Sequence, residues 1–509
     1  MKILKSVFVT IILANSYLAL AQTVQLDPNF GNNGIVVTPN TTEIVKTIFT
    51  TDSKILSLGY YYKNNSSLTY DWALTKYNFD GTLDNSFGTN GVVFNTDTVN
   101  GFPVTMVIQP DNKILVVGDK YYDHIEIAPD VWAGVYKSFI ARYESNGIPD
   151  FTFGDNGLVV MDFNSISSGF SSLAVLANNQ IVVGGSVGST TILLKLNSDG
   201  SVDYSFGNSG LVAFEDPNFM FLISDFQLLK DENILCYGAE FLGYDPTFWE
   251  PYGRIAVLKL DTNGEFVSSF GNNGIVFIEN EYEYGMPYCS KSVEIKNHQI
   301  ILGGDRILLK LNSDGSLDNT FGNQGIARHS YPFVDMDVEE NGRIYIAGSK
   351  VINIYDYGYS VCRFNANGIF DGTFNNMGYF DINPSNNNDY VQCVTFQSDG
   401  KLLLSGSVRT NGSANFAIAR LIVDDVETSI TSINFADVKI FPNPVRNELH
   451  IESGEHKINR VEIVDLSGKA IYRFNNSRNQ INVSALPQGV YFVKIETERG
   501  AVTRKLIKE

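Results

Sequence analysis

One pattern recurs seven times between residues 26 and 380 and limits the folds open to this chain. Its anchor is a phenylalanine followed by a turn, and glycine comes next in six of the seven copies. The anchors are Phe30, Phe87, Phe153, Phe206, Phe270, Phe321 and Phe374, the last followed by Asn375. Such repetition is typical of solenoids, propellers and arrays, in which each unit buries its apolar face only by stacking on its neighbours.

A second motif, an apolar residue with glycine four positions later, also occurs once per unit. Its copies begin at Ile55, Ile114, Ile181, Ile234, Ile300, Ile344 and Leu402. These runs, such as KILVVG, are short and bounded by turn signals, so they predict buried strands rather than helices. Each unit also has a strand before this motif, a third after it and a fourth after the Phe-Gly turn. Four short strands per unit predict an all-β fold, and their repetition predicts that this fold is a β-propeller.

The two ends of the repeat region complement each other. The first Phe-Gly turn and its strand, residues 30–37, lack the three strands that come before this element in every other unit. The last unit, residues 391–422, has its first three strands but lacks the fourth. We therefore predict a seven-bladed β-propeller in which the N-terminal strand completes the seventh blade. This arrangement would leave no sheet edge bare.

Charged residues repeat together with the strands. The third strand carries a basic residue at one equivalent position in all seven units, and aspartate stands three residues before the anchor in six, Val267 being the exception. An active site is usually built once, so a pattern present in every unit is better interpreted as structural ion pairs across the turn. The predicted pairing residues include Lys76, Asp84, Lys195, Asp203, Lys310, Asp318, Arg420 and Asp27. If the ring closes as predicted, Arg420 should face Asp27.

Several copies together resemble a known repeat family. The segments QPDNKILVVG at 109–118, FIARY at 139–143 and SLDNTFG at 316–322 resemble the delta-60 repeats of predicted β-propellers. The resemblance extends over some 400 residues and departs from the family pattern at Val267 and Asn375. It implies a fold but no known chemistry, because fold does not determine function.

The chain begins with a targeting pattern. In residues 1–21, Lys2 and Lys5 precede an apolar run that closes with Ala19 and Ala21, which predicts a secretory signal peptide cut before Gln22. The run is too short for a membrane anchor, and no later stretch approaches the roughly 18 apolar residues of a spanning helix. We therefore expect an exported protein without a transmembrane segment.

A different pattern follows the propeller, residues 22–427, and a linker, residues 428–436. Alternating strands with Pro and Gly turns in residues 437–509 predict a small Ig-like β-sandwich. This module closely resembles the type A C-terminal sorting domain of type IX (Por) secretion cargo. The matching residues are Pro442, Asn443, Pro444, Asp465, Gly468, Leu486, Gly489, Tyr491, Arg504 and Lys505. The resemblance implies a route through the periplasm, recognition by the type IX machinery, and a secreted or cell-surface location; the alternative is an ordinary β-sandwich with a binding role.

Charge and turn chemistry limit the partners and cofactors. Residues 22–435 contain 23 basic and 47 acidic residues, a net charge of −24, which disfavours nucleic acid and anionic membranes. The turn residues Asn197, Asp199, Ser201 and Asp203 alternate oxygen side chains as calcium loops do. However, their glycine comes fourth, no bidentate glutamate follows, and a tight β-turn requires the same residues. We expect no cofactor, with calcium as the alternative, and we interpret the four cysteines as buried free thiols.

Aromatic residues gather in the hairpins that join second and third strands. Four long hairpins, residues 59–72, 119–137, 239–254 and 349–359, hold all three Trp and 12 of the 26 Tyr. Equivalent hairpins of a propeller emerge on one face, which predicts an aromatic, acidic binding surface that also offers Asp71. The candidate ligand residues are Trp72, Tyr121, Trp132, Tyr244, Trp249 and Tyr357. The alternative is that these aromatics pack against one another.

No catalytic residues emerge from the sequence, since HExxH, GxSxG and a phosphate-binding glycine loop are all absent. The favoured interpretation is a non-catalytic propeller that binds a glycan or a surface protein outside the cell. The alternative is an extracellular hydrolase or lyase acting on polysaccharide through a pair of carboxylates that the sequence does not locate.

Overall fold

The computed structural model describes residues 24–39, 41–62, 70–95, 101–128, 131–163, 168–188, 190–214, 220–244, 251–279, 289–352, 356–385, 387–410, 412–423, 439–452, 458–465, 470–475, 479–497 and 500–509. The expected signal peptide and the expected linker lie outside this part of the chain. The chain divides into two compact units, and the boundary between them follows Val423. Among the described residues, no helix is long and apolar enough to cross a membrane.

The first unit is built of seven antiparallel sheets that follow one another along the chain. Two N-terminal strands, β1 (Val24–Leu26) and β2 (Ile35–Thr38), precede them. Sheet 1 contains β3 (Ile44–Phe49), β4 (Ile55–Tyr62), β5 (Tyr70–Tyr77) and β6 (Val92–Phe94). Sheet 2 contains β7 (Gly101–Ile108), β8 (Ile114–Ala128), β9 (Val131–Tyr143) and β10 (Leu158–Met161). Sheet 3 contains β11 (Ser168–Val175), β12 (Ile181–Val187), β13 (Thr190–Leu196) and β14 (Leu211–Phe214).

The remaining sheets repeat this order. Sheet 4 contains β15 (Met220–Leu228), β16 (Ile234–Tyr244), β17 (Pro251–Leu260) and β18 (Ile275–Ile278). Sheet 5 contains β19 (Cys289–Glu294), β20 (Ile300–Gly304), β21 (Ile307–Leu311) and β22 (Ile326–Arg328), with a short 3-10 helix, Lys296–His298, between its first two strands. Sheet 6 contains β23 (Asp335–Val338), β24 (Ile344–Val351), β25 (Tyr357–Phe364) and β26 (Tyr379–Ile382). Sheet 7 contains β27 (Tyr390–Phe396), β28 (Leu402–Thr410) and β29 (Ser413–Val423).

The N-terminal strands belong to sheet 7 although they are about 400 residues away from it in sequence. Strand β2 pairs with β29, Ile35 opposite Ala419, and so occupies the fourth-strand position of the other sheets. Strand β1 pairs with the end of β29, Leu26 opposite Leu421. Phe30, between the two, is fully buried among residues of sheets 7 and 1. All-β architecture with a propeller-type arrangement of sheets is therefore present.

The glycine of the second motif is explained by a bulge in the first strand. In six sheets the pairing of first and second strands shifts register near the start of the first strand, as between Ile44 and Lys46 or Pro103 and Thr105. The bulge presses a backbone carbonyl against the facing glycine: a Cβ on Gly118 would lie 2.1 Å from the oxygen of Phe102. Side chains at this position are excluded for that reason.

Neighbouring sheets are joined through the Phe-Gly turn. After six of the seven anchors, the N–H of the following glycine donates to a carbonyl in the turn of the next sheet, as from Gly88 to Asn146 at 2.8 Å. The glycine of that receiving turn takes a positive φ and lies against the preceding anchor ring, so that a Cβ on Gly147 would meet Phe87 at 3.0 Å. Gly31 makes the same bond to Asp80, which ties the N-terminal segment to sheet 1.

First strands of successive sheets contact each other in order, β3 with β7, β7 with β11, β11 with β15, β15 with β19, β19 with β23 and β23 with β27. Strand β27 in turn contacts β3. Apolar side chains fill the spaces between sheets, for example Leu58 and Trp72 of sheet 1 with Met106 and Phe139 of sheet 2. The hydrophobic core is thus distributed between neighbouring sheets rather than gathered in one place.

The second unit is a small two-sheet domain. One sheet contains β30 (Lys439–Phe441), β31 (Glu448–Glu452) and β34 (Gln480–Asn482). The other contains β32 (Ile458–Val464), β33 (Ala470–Asn475), β35 (Gly489–Thr497) and β36 (Gly500–Lys508). Alternating residues of these strands, including Leu449, Ile463, Val493 and Leu506, form one buried core.

Candidate functional site

A cavity of about 800 Å³ opens where the first strands of sheets 1, 2, 6 and 7 begin. Its lining consists of Thr42, Glu43, Tyr60, Tyr62, Phe102, Pro332, Val334, Ser349, Asn388, Tyr390, Val391, Gln392, Ser407, Arg409 and Ala414. A volume of this size suits a small ligand or a few units of a chain molecule. We call these residues the pocket.

Two kinds of segment supply the pocket. The first is the start of each first strand, including Glu43, Phe102 and Gln392, next to or within the bulge that faces the repeated glycine. The second is the end of each second strand, where Tyr62 and Arg409 approach the hairpins. The repeated glycine and bulge therefore place both segments at one end of the sheets, and sequence differences between units decide what they display.

Tyrosine rings form part of the pocket surface. Tyr62 is 37% exposed and Tyr390 is 39% exposed, so both rings offer surface to a ligand. Tyr357, 40% exposed, stacks on Tyr390 with ring centroids 5.6 Å apart. Tyr60 is partly buried and its hydroxyl donates to the carbonyl of Pro103 at 3.2 Å. Burial raises the pKa of Tyr60, with Glu43 and Asp119 adding to the effect, so its hydroxyl stays protonated at neutral pH.

Polar side chains accompany these rings. The amide of Gln392 donates to Glu43 Oε1 at 2.7 Å, which joins sheets 7 and 1 across the pocket. Asn388 accepts a hydrogen bond from the backbone N–H of Tyr357 at 3.1 Å. Arg409 is exposed near the end of β28. The pocket therefore combines aromatic planes with amide, carboxylate and guanidinium groups.

Two carboxylates near the pocket, the half-buried Asp119 and the buried Asp389, hold the backbone in place. Asp119 accepts hydrogen bonds from the N–H of Phe170 and the hydroxyl of Ser138, and burial raises its pKa to about 6. Asp389 accepts from the N–H and hydroxyl of Ser385 and from the N–H of Arg409, and burial raises its pKa as well. Each of these carboxylates therefore joins backbone segments rather than facing open space.

The predicted aromatic residues do not form a single surface. Trp72 is only 2% exposed: its ring stacks on Phe139 at 4.6 Å and its indole N–H donates to Tyr143 at 3.0 Å. Its prediction as a ligand residue is corrected, because its hairpin position faces sheet 2 and packs there. Asp71, expected on the same surface, is also buried and accepts a hydrogen bond from Asn95.

The other members of that set are scattered or undescribed. Tyr121 is half-buried beside Tyr136, with centroids 5.6 Å apart. Tyr244 is 59% exposed and lies against Phe241. Tyr357 reaches the pocket rim through Tyr390. The side chain of Trp132 and the whole of Trp249 lie outside the described residues.

The repeated charges form contacts between strand and turn in most sheets. Arg420 binds Asp27 with Nε and Nη2 each 2.9 Å from Oδ2. Lys310 lies 3.0 Å from Asp318. Lys195 lies 3.4 Å from Asp203 and donates to the carbonyl of Thr262 in the next sheet at 3.1 Å. The guanidinium of Arg420 likewise donates a hydrogen bond to the carbonyl of Phe79, which links sheet 7 to sheet 1.

Sheets 1 and 4 use other partners. In sheet 1, Asp84 is bound by Lys54 at 2.8 Å, and Lys76 lies 3.9 Å from Asp52. The expected direct pair of Lys76 with Asp84 is thus replaced, since a lysine at the start of the second strand reaches the same carboxylate. In sheet 4, where Val267 stands in place of aspartate, Lys259 binds Asp231 at 3.0 Å. A buried lysine keeps a carboxylate partner in each case.

The turn oxygens predicted as possible calcium ligands are engaged in hydrogen bonds. Asp199 accepts from the N–H and the hydroxyl of Ser201, and Asp314, at the equivalent position of the turn in sheet 5, does the same with Ser316. These bonds lower the pKa of both aspartates. No cluster of three or more His, Cys, Asp or Glu side chains suited to a metal occurs within the described ranges. The four cysteines, Cys236, Cys289, Cys362 and Cys393, are free and buried.

Residues matched to the sorting pattern come together from the two ends of the second unit. The side chain of Asn443, between Pro442 and Pro444, donates to the carbonyl of Lys505 at 2.7 Å and accepts from the N–H of Ile507 at 2.8 Å. Pro442, Asn443, Pro444 and Lys505 are exposed and Arg504 is half-exposed. Tyr491 is buried beside Gly489, and its hydroxyl donates to Pro487. Gly468 lies outside the described residues.

Sequence reasoning did not identify the pocket. Tyr60 and Tyr62 fall within the predicted hairpin 59–72 and Tyr390 begins β27, whereas Glu43, Gln392 and Arg409 belong to none of the repeated motifs. A usable signal was present, because the residues just before each first strand and just after each repeated glycine differ among units. Only the arrangement of the sheets brings units 1, 2, 6 and 7 to one cavity.

Comparisons with known proteins agree with both units. Residues 439–509 match the family model of a secretion system C-terminal sorting domain. Residues 109–153, 176–206, 299–321 and 397–422 match a β-propeller domain of unknown function. No curated protein matches the chain by sequence.

Two solved structures illustrate the structural likeness. PorZ, an essential bacterial surface component of the type IX secretion system of Porphyromonas gingivalis, is 10% identical with a TM-score of 0.37, over 94% of this chain and 60% of PorZ. This chain therefore spans about 60% of the length of PorZ. BBS1N, solved in complex with ARL6DN, is 12% identical with a TM-score of 0.42, over 80% of this chain and 98% of that one.

The sorting domain identifies the route that the protein takes. It directs export through the type IX system to the cell surface or the medium, which implies an interaction with that secretion machinery. The sequence resemblance to the Por sorting domain is thereby confirmed, and the repeats are consistent with the delta-60 description. The chain joins a β-propeller-type domain of unknown function to a type IX secretion sorting domain.

Proposed function

We propose that this exported protein is a non-catalytic carbohydrate-binding protein whose ligand occupies the pocket. The observation that carries the proposal is the exposure of Tyr62 and Tyr390 inside a cavity that also displays Gln392, Asn388 and Arg409. Tyrosine planes pack against the apolar faces of sugar rings, while amides and guanidinium groups bond to hydroxyls. A surface location places such a pocket where it meets extracellular polysaccharide.

Binding is favoured over hydrolysis by the carboxylates of the pocket. A glycosidase of the usual kind needs two carboxyl groups about 5 to 10 Å apart. Among the described lining residues Glu43 is the single carboxylate, and it accepts a hydrogen bond from Gln392. Asp119 and Asp389 bond to backbone N–H groups. This arrangement supports a rigid binding site.

We further propose that the seven sheets are the blades of one closed ring, with residues 24–38 completing the seventh. The proposal is supported by the pairing of β2 with β29 and by the contact of β27 with β3. We retain the domain limits 22–427 and 437–509 as part of this proposal. The division after Val423 and the family match from residue 439 support them.

The test uses the secreted full-length protein and a panel of soluble polysaccharides. Replacing both Tyr62 and Tyr390 by Ala should weaken glycan binding by at least about tenfold, because two stacking contacts are lost. The melting temperature should stay unchanged, since both rings are partly exposed. Tyr204→Ala is the matched control, because Tyr204 is 74% exposed on a turn outside the pocket.

Three results would contradict the proposal. The first is a failure of every glycan in the panel to bind while a surface protein binds and survives the double substitution. The second is unchanged glycan affinity in the double variant. The third is turnover of a polysaccharide that Glu43→Gln abolishes, which would replace binding by hydrolysis.

A further inference from the structure

We propose that the pocket selects sugars that carry an anionic group, and that Arg409 is the residue that recognises the anion. This inference rests on the proposed carbohydrate-binding function. It follows from the position of Arg409 in the pocket, the fixed backbone around it, and the absence of a carboxylate partner for its side chain within the described part of the chain.

The backbone of Arg409 is held in place from both sides. Its N–H donates to Asp389 Oδ1 at 3.3 Å, and its carbonyl accepts from the amide of Asn387 at 3.3 Å. Asp389 is itself fully buried and fixed by Ser385. The side chain of Arg409 therefore starts from a defined point at the rim, which reduces the entropy lost when a ligand orders it.

Four other arginines of the same unit are neutralised. Arg142, Arg363 and Arg420 each bind the turn aspartate of their own sheet, and Arg254 binds Glu240 and Glu279. Arg409 differs: it is exposed, and no described carboxylate lies within ion-pair distance of its guanidinium. In a region with a net charge of −24, a pocket arginine left without a carboxylate offers a cation to a ligand.

The other polar groups of the pocket complement this role. Glu43 is occupied by the amide of Gln392, and the remaining described lining residues are uncharged. A guanidinium binds carboxylate or sulfate oxygens through two parallel N–H groups, a geometry that a hydroxyl does not match. Repulsion from the acidic surface is screened beyond about 8 Å at physiological ionic strength, so contact at Arg409 decides recognition.

The test compares polysaccharides that differ only in the anionic group. Polygalacturonate is paired with its fully methyl-esterified form, and a sulfated galactan is paired with its desulfated form, each titrated into the secreted full-length protein. We expect the anionic member of at least one pair to bind about tenfold more tightly than its neutral partner, the difference of one charge-assisted contact. The pair that shows the preference distinguishes a carboxylate from a sulfate ligand.

Arg409→Gln should abolish this preference without lowering the melting temperature, and Arg409→Lys should restore part of it. Arg306→Gln is the matched control, since Arg306 is 63% exposed in a hairpin of sheet 5 outside the pocket. Equal binding of charged and neutral partners, or a preference that survives Arg409→Gln, would overturn this inference while leaving the proposed function intact. Absence of binding to every glycan would instead overturn the proposed function.

Discussion

At the scale of single residues, the aspartates of the propeller unit fall into two groups with opposite pKa shifts. Burial opposes ionisation of Asp84, but Lys54 and the hydroxyl and N–H of Ser86 lower its pKa to about 2. Hydrogen bonds from Thr320 and the charge of Lys310 likewise lower the pKa of Asp318 to about 2. At Asp119, burial outweighs the hydrogen bonds from Phe170 and Ser138 and raises the pKa to about 6. The direction of each pKa shift therefore depends on the groups that contact the carboxylate and not on burial alone.

These shifts predict how stability depends on pH. An aspartate has a pKa of about 3.9 when unfolded, so Asp84 and Asp318 stabilise the fold above about pH 4, and this stabilisation should be lost as pH falls toward 2. Asp119 has the opposite sign: its contribution should be present below about pH 4 and lost as pH rises to about 6. Melting temperatures measured from pH 2 to 8 test both statements.

Two substitutions isolate the contributions. Asp318→Asn should reduce the loss of stability between about pH 4 and 2, and Asp119→Asn should remove the decline between about pH 4 and 6. Far-UV circular dichroism at pH 7 serves as the check that each variant is folded. Identical pH profiles for wild type and either variant would show that the named carboxylate is not responsible.

At the scale of elements, the repeated glycine of the second strand allows the bulge in the first strand. The bulge brings a carbonyl to within 2.0 to 2.1 Å of where a Cβ would stand on Gly59, Gly118, Gly185, Gly238 and Gly406. The same bulge turns the start of the first strand toward the pocket, as at Gln392. A motif that looks like a strand signal in the sequence therefore also shapes the candidate site.

Gly118→Ala should destabilise the propeller unit by about 1 to 3 kcal/mol, because the new methyl group overlaps the carbonyl of Phe102 and the bulge must shift. Gly372→Ala is the control, since a Cβ there would meet nothing within 4 Å. Denaturant unfolding of the two variants measures the difference. Equal stability would show that the bulge relaxes without cost.

Removal of residues 22–38 should destabilise the protein or cause aggregation. The deletion removes β1 and β2 and the buried ring of Phe30, leaves Arg420 without Asp27, and exposes the edge of β29. Thermal melting and light scattering measure the effect, and a deletion of residues 22–23 alone is the control. A truncated form that melts at the wild-type temperature would contradict closure by the N-terminal segment.

At the scale of the whole molecule, the two units differ in charge and in role. Residues 22–435 have a net charge of −24, whereas residues 436–509 contain 12 basic and 9 acidic residues. The exposed Pro442, Asn443 and Lys505 lie on one surface of the sorting domain because Asn443 bonds to β36. Export is thus assigned to the second unit, whereas the proposed ligand binding belongs to the first.

Deletion of residues 437–509 should leave the propeller folded but retained in the periplasm. The core clusters described for the first unit consist of its own residues, whereas the sorting domain carries the export signal. Fractionation of cells, with protease resistance as the test of folding, measures the outcome. Secretion of the truncated chain at the full-length level would refute the role of this domain in sorting.

The β-propeller repeats, the sorting domain and the exported location could be predicted from the residues alone, because each depends on local chemistry that recurs or on a continuous motif. Local sequence is enough to recognise the Phe-Gly turns, the short apolar strands and the Pro442–Pro444 segment, because none of them depends on distant residues. Even the position of Asp27 beside Arg420 followed from counting the strands of the repeats, and the two lie 2.9 Å apart.

The tertiary structure alone decided which aromatic residues face a cavity. Trp72 and Tyr62 occupy neighbouring positions of one hairpin, yet one packs against sheet 2 and the other lines the pocket. Glu43 meets Gln392 although 349 residues separate them. The side of a strand that becomes buried depends on the packing of the adjacent sheet and on the bulge beside it. The spacing of residues along the chain predicts neither of these.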